Sequence, residues 1–198
     1  TVLAPRAPRP LRTPPELGPP GVSRVPPPRI APGVIEHGSP FAELDLTSDT
    51  APRARVEAFA GALEWAGLHA RVQDGESATL WAKMAFLAPF ALLTTRYGVP
   101  VGDVRTLHRA ELTALVEETA AVGRACGAPT DPATALARYD AFPAATRSSM
   151  QRDAEAGRTL ELDAIGGALL RAAERTGVPV PVAGELVRHL TPLAGTDD

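Results

Sequence analysis

Apolar positions along this chain follow two different rhythms. Between Ile30 and Val72 they alternate in short runs, and from Glu76 onward they recur every three or four residues. In the first stretch, Ile30, Val34 and Ile35 predict one strand broken by Pro32-Gly33, and Phe41 to Leu46 a second. A helix starts near Pro52 with Val56, Phe59, Ala60 and Leu63 on its apolar face and stops at Gly67, before a strand over Leu68 to Val72. This strand-strand-helix-strand unit, residues 29–75, reads as the trailing edge of an α/β layer and not as a complete sheet.

The rest predicts helices. Ser77 can cap one that runs toward Tyr97, where Gly98 and Pro100 close it. Pro89 removes a hydrogen bond in mid-run, so a kink or break is expected near residues 85–89. Leu112, Leu115, Val116 and Ala120 form the core stripe of a second long helix, over residues 107–125. Thr130-Asp131-Pro132 starts a third, which Phe142-Pro143 ends. A short helix follows Arg147, and Gly157 breaks it. Leu162, Ile165, Leu169 and Ala172 or Ala173 then mark a longer helix stopped by Gly177 and Pro179. Ala183 to Leu190 is the last, ahead of a polar tail at residues 193–198. The expected fold is mostly α: a bundle of five to six helices over residues 76–192, preceded by an incomplete α/β remnant.

Composition qualifies this picture at the chain start. Thr1 to Pro28 holds ten prolines and no apolar period. Such a segment buries too little surface to offset the entropy of ordering it, so it is expected to be disordered or polyproline-like. Its Pro/Arg/Ala/Gly/Leu bias is equally that of a linker or of a GC-rich gene read out of frame. The chain begins with Thr1, as a fragment or processed product would. Over all 198 residues the net charge is −3, which argues against a nucleic-acid partner. The apolar run from Leu80 to Leu93 contains Lys83 and falls short of the roughly 20 residues of a membrane span, so no membrane partner and a cytoplasmic location are expected. One cysteine, Cys126, rules out an intrachain disulfide and reads as a small core residue. His37, His69, His108 and His189 lack the spacing of a metal site.

Two places carry candidate chemistry. From Arg147 to Asp163 the chain places Ser149 in one helix start and Glu161 in the next. A hydroxyl and a carboxylate so placed can converge on a small anionic ligand held by backbone N–H groups. Taken alone, the spacing is as well read as two caps and an exposed acid. Lys83, the chain's only lysine, sits in Trp81-Ala82-Lys83-Met84-Ala85-Phe86. Burial disfavours the ammonium form and suits a lysine to proton donation; the plainer reading is a stem on apolar surface with its head in water.

Leu80-Trp81-Ala82-Lys83, followed by Arg147-Ser148-Ser149-Met150-Gln151-Arg152-Asp153 and by Gly157-Arg158-Thr159-Leu160-Glu161-Leu162-Asp163, resembles the ketopantoate reductase (2-dehydropantoate 2-reductase) family. Gly177-Val178-Pro179-Val180-Pro181-Val182 is similar to the stop of that family's following helix, and Pro32 to His37 to a late strand of its nucleotide-binding domain. The resemblance implies a helical domain of the 6-phosphogluconate dehydrogenase C-terminal-like type after a Rossmann-type remnant. It also implies NADPH-dependent reduction of a small 2-oxo acid to a 2-hydroxy acid, and a homodimer. In that pattern Lys83 is the general acid, Ser149 binds the substrate carboxylate, and Glu161 engages substrate and positions the lysine.

The chain departs from the pattern in two ways. The G-x-G-x-x-G turn that cradles a dinucleotide is absent, so no cofactor-binding residue is assigned. Leu87, Ala91 and Val101 stand where the family has amides, which predicts a drier pocket. Two readings follow: the substrate half of such a reductase, or a non-catalytic helical dimerisation or ligand-binding module derived from the family.

Overall fold

The computed structural model describes residues 21–23, 29–31, 34–35 and 43–194. These fall into two compact units that divide between Thr79 and Leu80.

In the first unit, β1 (Gly21–Ser23) pairs antiparallel with β4 (Glu43–Thr47), which pairs in parallel with β5 (His69–Gln73). α1 (Arg53–Trp65) joins the two parallel strands, as a parallel pair requires. β2 (Arg29–Ala31) and β3 (Val34–Ile35) form a separate antiparallel hairpin. Two expectations change here. The pattern around Pro32-Gly33 reads as one broken strand, yet the residues on either side pair antiparallel with each other, Ala31 opposite Val34. Order also begins before Arg29, because Gly21–Ser23 lies in the sheet, inside the proline-rich stretch. Residues 1–20 and 24–28 of that stretch, and His37, lie outside the described residues.

Alternation along β4 explains how this unit packs. Leu46 turns toward α1 and forms a small core with Val56 and Ala60. Asp45 turns to the opposite face, buried, where Gln73 Nε2 donates to its Oδ1 at 2.9 Å and Arg71 lies 3.8 Å away. A buried carboxylate needs such partners to offset its lost hydration. Phe59, expected on the buried face of α1, is 45% exposed, and Trp65 is 92% exposed.

The second unit is a helical bundle. α2 (Glu76–Tyr97) is its 22-residue central helix, followed by α3 (Val101–Leu107), α4 (Arg109–Ala125) and α5 (Pro132–Ala141). Then come α6 (Ser149–Glu155), a π-helical segment (Asp163–Gly167), α7 (Ala168–Thr176), α8 (Pro181–Leu190) and a closing 3₁₀ turn (Thr191–Leu193). The bundle thus has seven α-helices where the pattern predicts five to six, the short α3 being the one not foreseen. Two backbone bonds, Val101 N–H to the Thr146 carbonyl and Gly102 N–H to that of Ala144, both 2.9 Å, fasten α3 to the chain before α6. Gly102 permits this approach, since a Cβ there would lie 2.8 Å from that of Ala144.

α2 does not break at Pro89. The helix continues because both sides of the proline are packed: Ala88, Ala91, Leu92 and Leu93 are each at most 1% exposed. That packing outweighs one missing hydrogen bond. By length and composition α2 could cross a membrane, unlike the shorter apolar run in the sequence, but 72% of its apolar window is buried within the protein. Its residues Met84, Ala88 and Leu92 lie in the hydrophobic cluster of the bundle. Phe86 stacks on Tyr139 with ring centroids 4.5 Å apart, and the Tyr139 hydroxyl donates to the Phe86 carbonyl. Complete burial pushes that phenol well above its ordinary pKa.

Helix ends follow local chemistry. Asp131 caps α5, accepting from the N–H groups of Ala133 at 3.1 Å and Thr134 at 3.0 Å, with Pro132 in the first turn. Gly177 ends α7 in the left-handed region at φ 69°.

Candidate functional site

All three candidate residues belong to the helical unit, and each stands beside residues of one core. Lys83 is half-buried on α2, next to Met84 and Ala85, which are 5% and 1% exposed. Ser149 is the exposed first residue of α6, next to Met150, which is fully buried. Glu161 is exposed between Leu160 and Leu162, both buried. Met84, Met150, Leu160 and Leu162 lie in the same hydrophobic cluster. Buried neighbours therefore anchor the backbone at each candidate, while Ser149 and Glu161 are exposed and Lys83 is half-buried.

The elements that carry Ser149 and Glu161 both meet α2. Thr94 Oγ1 lies 2.7 Å from the Phe90 carbonyl and 2.7 Å from Ser148 Oγ, which ties the start of α6 to α2. Gly166, in the π segment after Glu161, faces Leu92 and Val187; a Cβ there would lie 3.4 Å from Leu92 Cδ2 and 2.5 Å from Val187 Cγ2. Lys83 is eleven residues before Thr94. That is about 16 Å along the helix but only roughly 20° around it, so the two share a face. The structure thus joins the Ser149 and Glu161 elements to the C-terminal half of α2 and leaves Lys83 three turns toward its start.

Ser148 is a residue the sequence reading passes over. It is 2% exposed and caps α6, its Oγ accepting the Gln151 N–H at 3.0 Å. The signal was present, since Ser148-Ser149-Met150-Gln151 has the S-x-x-Q form of a capping box. Gln151 does not close the box: its Nε2 donates to Glu155 Oε1 at 2.9 Å, and its Oε1 is buried without a partner. Arg147 reaches the same Glu155 carboxylate at 3.0 and 3.1 Å, and Arg152 donates to the Arg147 carbonyl at 2.9 Å. α6 is short but braced at both ends.

Glu161 sits one step before the helix rather than in its first turn, its carbonyl accepting the Ile165 N–H at 3.1 Å. A negative side chain at that position is favoured by the helix dipole. Beyond it, Ala168 N–H reaches the Asp163 carbonyl five residues back, which makes this turn π-helical. Such single turns recur at functional sites. Arg171 holds the Asp163 carboxylate at 2.6 and 3.3 Å and lowers its pKa below the ordinary range.

Leu87, Ala91 and Val101 stand where the resemblance expects amides. Ala91 and Val101 are 1% and 0% exposed within the core, while Leu87 is half-buried. Cys126 ends α4 half-buried, and burial raises its thiol pKa, which disfavours the nucleophilic thiolate. His108 stacks on Tyr97 with ring centroids 3.6 Å apart. Among the described residues, no group of three or more His, Cys, Asp or Glu side chains is placed to hold a metal ion.

Comparison with known proteins agrees with this architecture. The family model for the ketopantoate reductase PanE/ApbA C terminal matches residues 77–194. The uncharacterized oxidoreductase YkpB of Bacillus subtilis is 31% identical over 143 residues, covering 70% of this chain and 46% of that protein. A 2-dehydropantoate 2-reductase of Pyrobaculum aerophilum is 28% identical over 163 residues, covering 78% of this chain and 58% of that protein. The crystal structure of 2-dehydropantoate 2-reductase from Methylococcus capsulatus superposes with a TM-score of 0.79 at 27% identity, over 87% of this chain and 61% of that one. The chain therefore spans about half the length of the relatives it matches. Lys83, Ser149 and Glu161 all fall within the matched stretch, and with that match covering more than half of its residues, the chain belongs to the ketopantoate reductase family through that family's C-terminal domain.

Proposed function

We propose that the helical unit is the substrate side of a reductase that converts a 2-oxo acid, ketopantoate or a less polar analogue, to the 2-hydroxy acid. The observation that supports it most is the setting of Lys83: a half-buried cation on the central helix, flanked by the core residues Met84 and Ala85. In this reading, as a hydride supplied from outside these residues would reach C2, the Lys83 ammonium group gives a proton to the C2 oxygen, and the neutral amine is reprotonated from solvent. The Ser149 hydroxyl donates to the substrate carboxylate. The Glu161 carboxylate engages the substrate and orients the lysine.

The resemblance implies NADPH. A dinucleotide pyrophosphate needs a glycine-lined turn between a strand and a helix, where backbone N–H groups converge. Among the described residues, the turn from β4 into α1, residues 48–52, contains no glycine. It carries Asp49 instead, whose carboxylate accepts the Glu76 N–H at 2.8 Å. Its negative charge opposes a phosphate. The described residues do not fit the dinucleotide, and no hydride step is assigned to them.

Two measurements test the reading. In a protein that joins these residues to a dinucleotide-binding domain, Lys83→Ala should lower kcat by about 10²-fold or more, the usual scale for losing a general acid. An unchanged kcat removes Lys83 from the mechanism. Titration of the 198-residue chain with NADPH, followed by nicotinamide fluorescence, should give no saturable change; saturable binding would show that the dinucleotide site has been misjudged.

A further inference from the structure

We infer that Thr94 is a positioning residue for Ser149 and acts through the hydroxyl of Ser148. The inference rests on the reading above, in which Ser149 meets the substrate carboxylate, and it adds a member to that site.

It starts from the hydrogens available between α2 and α6. Thr94 Oγ1 has two contacts of 2.7 Å, to the Phe90 carbonyl and to Ser148 Oγ, and Ser148 Oγ accepts the Gln151 N–H. Each contact needs a hydrogen, each hydroxyl carries one, and a carbonyl only accepts. Thr94 therefore donates to Phe90, and Ser148 donates to Thr94. The result is a chain with one direction, from the Gln151 amide through both hydroxyls to the backbone of α2. Thr94 and Ser148 are 0% and 2% exposed, so water does not stand in for either partner.

The Ser149 side chain is exposed, at the first residue of a helix seven residues long. A helix that short is not stable unaided, so its direction follows from what it is fastened to. The Arg147–Glu155 and Arg152–Arg147 bonds lie within this segment and tie it to no other element. What holds its start to the bundle is the burial of Met150, 0% exposed, together with the hydroxyl chain. Apolar packing is non-directional, whereas a hydrogen bond holds an angle as well as a distance. Thr94 thereby sets the direction from which the Ser149 hydroxyl meets a carboxylate.

The next residue along α2 supplies a control. Thr95 is 7% exposed, and its Oγ1 has no hydrogen-bond partner among the described residues, so that hydroxyl ties nothing.

Calorimetric titration of the 198-residue chain with ketopantoate tests this, on variants shown to be folded by circular dichroism. Ser149→Ala is expected to weaken binding by about 10-fold or more, the scale of a hydrogen bond to a charged group. Thr94→Val, which keeps the shape and removes the hydroxyl, should weaken it by about 3- to 10-fold, the lower part of the range for coupled groups. Thr94→Ser, which restores the hydroxyl, should recover most of the affinity, and Thr95→Val should leave it unchanged. Ser148→Ala cuts the same chain at its other hydroxyl and replaces Thr94→Val if that variant does not fold. In a Ser149→Ala background, Thr94→Val should have no further effect, because the group it acts through is already gone. Unchanged affinity in Thr94→Val, or an equal loss with and without Ser149, would overturn the inference and leave the site standing. No saturable binding of ketopantoate, or parent-like binding by Ser149→Ala, would overturn the reading of the site, and the inference with it.

Discussion

The two units of this protein differ in how they are held together. Among the described residues, the helical unit buries twenty-nine hydrophobic residues in one continuous cluster, and the sheet unit buries three, Leu46, Val56 and Ala60. At roughly 1.5–3 kcal/mol for each large side chain fully buried, the first cluster contributes many times what the second does. Three such residues do little against about 1–2 kcal/mol of backbone entropy for every residue fixed. The sheet unit also leaves Trp65 and Phe59 open to solvent. The contrast shows where precise chemistry can be kept. Lys83, Ser149 and Glu161, the residues proposed for the site, are on the unit with the larger core.

The comparison can be broken at several points. The largest effect is expected from Leu115→Ala on α4, where a fully buried leucine is lost. Urea unfolding followed by circular dichroism should show a loss of about 2–5 kcal/mol. Hydrogen exchange should meanwhile find the amides of β4 and β5 opening faster than those of α4. Equal protection of the two regions would refute the contrast drawn above.

A smaller effect separates two adjacent serines. Ser148→Ala removes the α6 cap and the hydroxyl beside Thr94, and should cost about 1–2 kcal/mol. Ser149→Ala, at an exposed position, should change stability by no more than about 0.5 kcal/mol. The same pair read by ligand titration should reverse: Ser149→Ala weakens 2-oxo acid binding more than Ser148→Ala does. If the first change dominates both assays, Ser149 has no role of its own.

The smallest effect concerns acid. Asp131 has its pKa lowered, first by the Thr134 hydroxyl and then by the Thr134 and Ala133 N–H groups. A depressed carboxylate contributes stability that is complete above its unfolded value, near pH 4, and is lost as pH falls through the lower folded value. Asp131→Asn keeps a capping oxygen but removes that proton linkage, so the variant's melting temperature should fall less steeply below pH 4 than the parent's. Parallel melting curves across that range would count against the cap as the source.

Much of the helical unit is legible in its residues. The α4 stripe of Leu112, Leu115, Val116 and Ala120 is buried throughout, and Gly177 and Asp131-Pro132 mark ends where the backbone does turn. These signals are local, and local chemistry decides them. Where packing between distant segments decides, the residues mislead. Pro89 predicts a kink or a break, and the helix runs through it unbroken within its core. α3 is one turn or two between Pro100 and His108, too short to show a period, and depends on Ala144 and Thr146 far along the chain. Of the candidate site, Lys83, Ser149 and Glu161 are singled out by their setting in the sequence, and their roles come from the resemblance. Ser148 was readable from its capping box, but two neighbouring hydroxyls differ in role only once one is seen to be buried.

The π turn at Asp163–Gly167 gives the segment around Glu161 a latitude that an ordinary helix lacks. A π turn holds one residue more than the α turn it replaces, so it advances the chain by about 100° of helical rotation without lengthening the axis by a full turn. The inward face of α7, with Leu169, Ala172 and Ala173, is thereby set independently of the direction in which Glu161 points. Deleting one residue there should leave a regular helix and rotate Glu161 by about 100° relative to that face.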